Sequence, residues 1–214
     1  MRMQNPWWRL LSGGLAAAFS LALLVGAGAA TAPASATPKP TAHVTPTGTW
    51  GTAKELPGLA ALNKGGQGVA DSVSCPSAGN CGAAGIYADG SDHVQVFVAN
   101  QTKGTWGKAI EVPGIEALNK DGRAHVLSAS CGAAGDCSVG GDYLDVHLRD
   151  QAFVVSQAHG TWAKAIEVPG TAALNKDGEA GINSLSCAAP GRCSAGGFYA
   201  DGHGKLQGFV VSET

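Results

Sequence analysis

From residue 49 onward, apolar and polar positions recur in one repeated order. A β-favouring segment, TWGKAIEVPG over Thr105–Gly114, ends at a Pro-Gly turn signal. A polar stretch holding Ala-Leu-Asn-Lys follows and predicts a loop with a helical turn. Val126–Cys131 then reads as a strand, and a tight connection leads to a second Cys and a glycine-rich strand through Tyr143. A turn, marked by Asp-Gly in the first and third copies, precedes Gln151-Ala152-Phe153-Val154-Val155. That last strand is apolar at consecutive positions, as a strand is when packed layers cover both faces.

The order repeats without an insertion. Thr49-Trp50 returns as Thr105-Trp106 and Thr161-Trp162, a shift of 56 residues each time. The same shift relates Glu55, Glu111 and Glu167; Tyr87, Tyr143 and Tyr199; Asp89, Asp145 and Asp201; and Phe97, Phe153 and Phe209. One supersecondary unit is used three times, over 49–104, 105–160 and 161–214, each burying a face against the next. Residues 49–214 therefore predict a single all-β domain. Three four-stranded repeats are expected to close into a three-fold, propeller-like ring. A β-trefoil, a β-prism and half of a six-bladed dimer are the alternatives. Strands run as one, four, four and three, so the lone strand at Trp50 is expected to complete the last unit and remove a sheet edge.

The first 48 residues differ in kind. Arg2 and Arg9 precede an uncharged, mostly apolar run over Leu15–Ala30, and Ala34-Ser35-Ala36 supplies a small-x-small cleavage pattern. This predicts a signal peptide over 1–36 and a Thr/Pro-rich linker over 37–48. The protein is expected to be secreted, with no membrane association once the signal is removed. The chain has 14 Lys+Arg against 16 Asp+Glu, and both basic residues of the leader leave with it. An acidic remainder argues against nucleic acid as a partner.

All six cysteines follow the repeat. Fifteen pairings exist for six cysteines, and the repeat favours Cys75–Cys81, Cys131–Cys137 and Cys187–Cys193. The spacing is a poor match to a zinc site, so no metal and no cofactor is expected. The segments Ser72-Val73-Ser74-Cys75-Pro76-Ser77-Ala78-Gly79-Asn80-Cys81 and Gly104-Thr105-Trp106 resemble the tandem repeats of secreted actinobacterial proteins. There an S-C-x-S-x-x-x-C segment alternates with G-T-W. The resemblance implies a β-propeller-like fold over Thr49–Thr214 and carries no activity with it. The Gly-Thr-Trp segments match only the end of the sialidase Asp-box, so sialidase chemistry is not implied.

Catalysis needs an asymmetric set of titratable groups. His93, His125 and His159 are not repeated, and only His147 and His203 correspond. No G-x-S-x-G, H-E-x-x-H or P-loop motif occurs. The repeated Glu55, Glu111 and Glu167 could serve glycosidase chemistry only by meeting the repeated Asp set at a suitable distance. No catalytic residue is assigned. The candidate binding residues are Tyr87, Asp89, Tyr143, Asp145, Tyr199 and Asp201. At each pair an aromatic lies two residues from a carboxylate, on one face of a regular strand, as a sugar subsite could use. The expected function is a secreted, non-enzymatic binding module. Its partner would be a glycan, a cell-surface or cell-envelope polymer, or a protein, held by up to three linked sites. A small glycoside hydrolase and a purely structural interaction domain are the alternatives. A monomer is expected, with a dimer as the alternative.

Overall fold

The computed structural model describes residues 48–214, so the signal peptide and all but the end of the linker lie outside the described residues. Residues Gly51–Thr214 form one compact unit. Gly58, Gly114 and Gly170, each after a proline, take left-handed φ of 79°, 79° and 89°. Each such turn opens a single helical turn: α1 (Leu59–Leu62), α2 (Ile115–Leu118) and α3 (Thr171–Leu174). The helical turn expected at Ala-Leu-Asn-Lys is thus present in every unit.

Three antiparallel sheets follow. Sheet 1 joins β1 (Gly68–Ser77), β2 (Asn80–Ala88) and β3 (Val94–Thr102), in that order. Its outer edge is completed by β4 (Thr105–Trp106) and β5 (Ile110–Glu111), both paired with β3. Sheet 2 repeats the plan with β6 (Ala124–Ala133), β7 (Asp136–Leu144), β8 (Asp150–Ala158), β9 (Thr161–Trp162) and β10 (Ile166–Glu167). Sheet 3 has three strands, β11 (Ala180–Ala189), β12 (Arg192–Ala200) and β13 (Leu206–Ser212). The segment read as one Thr-Trp strand is therefore two short strands, and it belongs to the sheet before it rather than the one after.

Successive sheets stack. β6 lies across sheet 1, and β11 lies across sheet 2. The backbone N–H groups of Ala129 and Cys131 donate to the hydroxyls of Ser72 and Ser74, at 3.0 Å each. Leu185 and Cys187 donate to Ser128 and Ser130 at the same distance. Between the sheets lie Val98, Val126, Phe153, Val155 and Ile182, all buried, while Phe97 is buried on the other face of sheet 1 with Leu56, Leu59 and Leu62. Burying a residue of this size contributes roughly 1.5–3 kcal/mol. The three local disulfides form as the repeat favours, each closing the β-hairpin of its sheet's first two strands.

One expectation is corrected. The three sheets close no ring or barrel among the described residues: sheet 2 packs on both neighbours, while the end sheets keep an open face. Thr49 and Trp50 form no strand, and Trp50 is fully exposed. β13 pairs with β12 alone, so sheet 3 has no outer strand. The burial of equivalent residues records this. Phe97 and Phe153 are fully covered, and Phe209 is not.

Candidate functional site

The candidate Tyr and Asp residues sit at the end of β2, β7 and β12 and in the turns that follow. Their roles in the structure are distinct. Tyr87 and Tyr143 are only 2% and 3% exposed. The Tyr87 hydroxyl donates to Glu111 on β5. That of Tyr143 donates to Glu167 on β10 at 3.4 Å. Burial, reinforced by these carboxylates, pushes both hydroxyls above the ordinary tyrosine range, so each remains a donor. Neither ring offers the open face that a sugar platform needs. Tyr199 is partly exposed, because sheet 3 has no outer strand to carry a partner carboxylate.

The aspartates hold turns. Asp89 Oδ1 accepts from the N–H groups of Ser91 (2.7 Å) and His93 (3.1 Å). Asp145 does the same for His147 and Arg149, and Asp201 for His203 and Lys205. Gln151 and Gln207 add a side-chain bond to Asp145 and Asp201 at 3.0 Å. Burial raises Asp89 and Asp145, but these donors outweigh it and hold both below the usual carboxylate range. At Asp201 the Gln207 bond leads the same lowering. A carboxylate satisfied in this way is a structural acceptor, not a poised acid or base. The repeated acids are thus consumed by the repeat itself: the Tyr–Glu bond ties a middle strand to an outer one, and the Asp bonds close a turn.

Two features break the repeat. The first is His125 on β6, whose Nδ1 lies 2.9 Å from Asp142 Oδ1 on β7. The equivalents of Asp142 in the other units are Ile86 and Phe198, so this pair exists once. The Asp142 hydrogen bond, against the cost of burial, raises the imidazole above its ordinary value. Asp71, on β1, is raised by burial and pulled down by the charge of His125. Sequence reading noticed that His125 is unrepeated but missed Asp142. The available signal was a charge standing where the other copies are apolar.

The second is a cleft of ≈ 540 Å³ where β8 and β9 meet the Pro190-Gly191 turn. Gln157, Trp162, His159 and Asp136 line it. Gln157 is buried, yet neither its Nε2 nor its Oε1 has a hydrogen-bond partner among the described residues. Its equivalent Gln101 donates to the Gly104 carbonyl, and the third copy has Glu213 instead. An unpaired buried amide costs roughly 1–3 kcal/mol per group, a cost that Gln101 avoids through its bond to Gly104. No group of three or more His, Cys, Asp or Glu residues is arranged for a metal ion among the described residues. No helix among them is long and apolar enough to cross a membrane. Compared with known proteins, the chain matches no family model and no curated protein.

Proposed function

We propose that this protein is a secreted, non-enzymatic binding module whose ligand is a glycan or cell-envelope polymer. It would belong with the secreted actinobacterial Cys-x5-Cys and Gly-Thr-Trp repeats that its sequence resembles. The Gln157 amide carries the reading. It lies in the wall of the cleft with Asp136, His159 and Trp162, and its covered Nε2 and Oε1, without partners among the described residues, would offer one donor and one acceptor to a ligand once the side chain turns outward. Vicinal sugar hydroxyls both donate and accept, and they match that pair of vacancies. Three disulfides suit an oxidising compartment. The acids that a hydrolase would need as a pair are held in turns and Tyr–Glu bonds.

A glycan array, followed by sedimentation with isolated cell envelopes, tests the reading. Binding should fall at least tenfold in Gln157→Leu, while Gln101→Leu binds as the wild type does. Release of reducing ends from a bound glycan would assign the protein to the hydrolases instead. Retention of full affinity by Gln157→Leu would remove this cleft as the site.

A further inference from the structure

The stack is built from one junction used twice, and each half of that junction is left open at one end. Equivalent atoms show this. Ser72 and Ser74 of sheet 1 accept from sheet 2, and Ser128 and Ser130 of sheet 2 accept from sheet 3. Their counterparts on sheet 3, Ser184 and Ser186, are exposed and have no sheet above them. The matching donors on sheet 1, the N–H groups of Val73 and Cys75, lie on an exposed stretch with no sheet below.

The loops tell the same story. Asn119 Nδ2 reaches back to the Val94 carbonyl and Gln95 Oε1 of the preceding sheet, at 2.9 and 3.1 Å. Asn175 reaches Asp150 and Gln151 in the same way. Asn63 is the first member of that series, and among the described residues it has no preceding sheet to reach. At the other end Gln207 is exposed, whereas Gln95 and Gln151 are buried.

The outer strand is displaced in the same sense. Ala165 N donates to Pro113 O at 2.8 Å, across the junction from sheet 1 to sheet 2. Ala109 N donates to Pro57 O at 2.7 Å, so residues 55–57 stand toward sheet 1 as residues 111–113 stand toward sheet 2. They occupy the outer-strand position of a sheet that would precede sheet 1, and no such sheet is present among the described residues.

We propose that two copies of this chain join head to tail, sheet 3 of each packing on sheet 1 of the other, to form a six-sheet ring. The occupant of each open face is a second copy, because the register of the junction is already present twice in the chain. Ser184 and Ser186 accept from Val73 and Cys75 of the other copy. Asn63 of that copy reaches the Leu206 carbonyl and Gln207, and its Glu55 takes the Tyr199 hydroxyl. The apolar part of the contact joins Val210, 87% exposed, to the face of sheet 1 that carries Val73, 57% exposed. A head-to-tail contact either closes or runs on as a fibre. Two copies give six sheets, within the four to eight of closed propellers.

Sedimentation velocity on the purified chain tests this with two variants. Wild type should sediment at twice the mass of one chain. Val73→Asp blocks every head, Val210→Asp blocks every tail, and each variant alone should sediment as a monomer. Both side chains are exposed in the single chain, so neither change disturbs a core. Mixed in equal amounts, the variants should restore a species of two chains, since one intact head then meets one intact tail. That recovery separates a blocked face from a failed fold. A wild-type monomer at every concentration overturns the proposal. A dimer that survives one of the two variants overturns the head-to-tail arrangement, and growth beyond two chains overturns closure.

Discussion

Tyr87 shows how far one residue type can be read from its spacing. A tyrosine two positions before an aspartate suggests a ring and a carboxylate side by side on an exposed strand end. The structure instead sends the ring inward, because β5 folds back over it and offers Glu111. That partner lies 24 residues away, and no local pattern joins the two. Tyr87→Phe should therefore cost about 1–3 kcal/mol in denaturant unfolding, by leaving a part-buried carboxylate short of a donor. Tyr143→Phe should cost less, since its bond to Glu167 is longer. No loss in either variant would mean that the bonds contribute nothing beyond ring packing. His125 makes a pH prediction. Its folded-state pKa is raised by Asp142, so the stability it adds is complete below ~6.5, the unfolded value, and is lost as pH rises through the folded value. Thermal unfolding from pH 5 to 9 should show this loss in the wild type and not in His125→Gln. Parallel curves would show that the pair is uncoupled from folding. Asp142 stands out in the sequence as a charge where the other copies carry Ile86 and Phe198, but its pairing with His125, like the orphaned Gln157, depends on what the fold places opposite it.

At the scale of the element, the repeat made most of the structure readable. A fixed 56-residue shift aligns three copies of each strand, so a turn signal that is weak in one copy is reinforced by the others. Local disulfides were legible for the same reason. Thr105-Trp106 opens the sequence repeat but closes the preceding sheet, in keeping with the count of one, four, four and three strands. The strand expected at Trp50 did not form. Glycine content has a cause at this scale too. The first hairpin of each sheet has a register shift, between Ala70 and Ser72, Val126 and Ser128, and Ile182 and Ser184. The extra residue drives a backbone carbonyl into the opposite strand, where Gly85, Gly141 and Gly197 receive it. A methyl on Gly141 would stand 1.9 Å from the His125 carbonyl oxygen. Gly141→Ala should destabilise by about 3 kcal/mol or more, as severe overpacking does. Gly202→Ala, on an exposed turn where the nearest atom is a lysine side-chain carbon, should change stability by ~0.5 kcal/mol or less. Similar losses for the two would show that the bulge relaxes around the added methyl.

The whole molecule behaves as a short one-dimensional array, in which each sheet is stabilised by its own hairpins and by its neighbours. Closure could not be read from the chain alone, since a repeat pattern is identical in an open stack and in a ring. What separates them is whether equivalent residues are equally covered, and they are not. Phe153 lies beneath a complete sheet, while Phe209 lies beneath a face with no outer strand. Local opening should follow that inequality, because few buried contacts and solvent-exposed backbone bonds mark the segments that open first. In dilute protein, amide hydrogen exchange should be slowest in β7 and β8, which have a packed sheet on both sides, and fastest in β13. Among the remaining strands β1 should exchange faster than β6, its equivalent in sheet 2, because one face of β1 is uncovered. Raising the protein concentration should then slow β1 and β13 together and leave β7 and β8 unchanged, since only the end strands gain a cover. Uniform protection across all three sheets in dilute protein would mean that the stack unfolds as one cooperative block. Slowing of β13 without β1 would mean that its cover is something other than the head of a second chain.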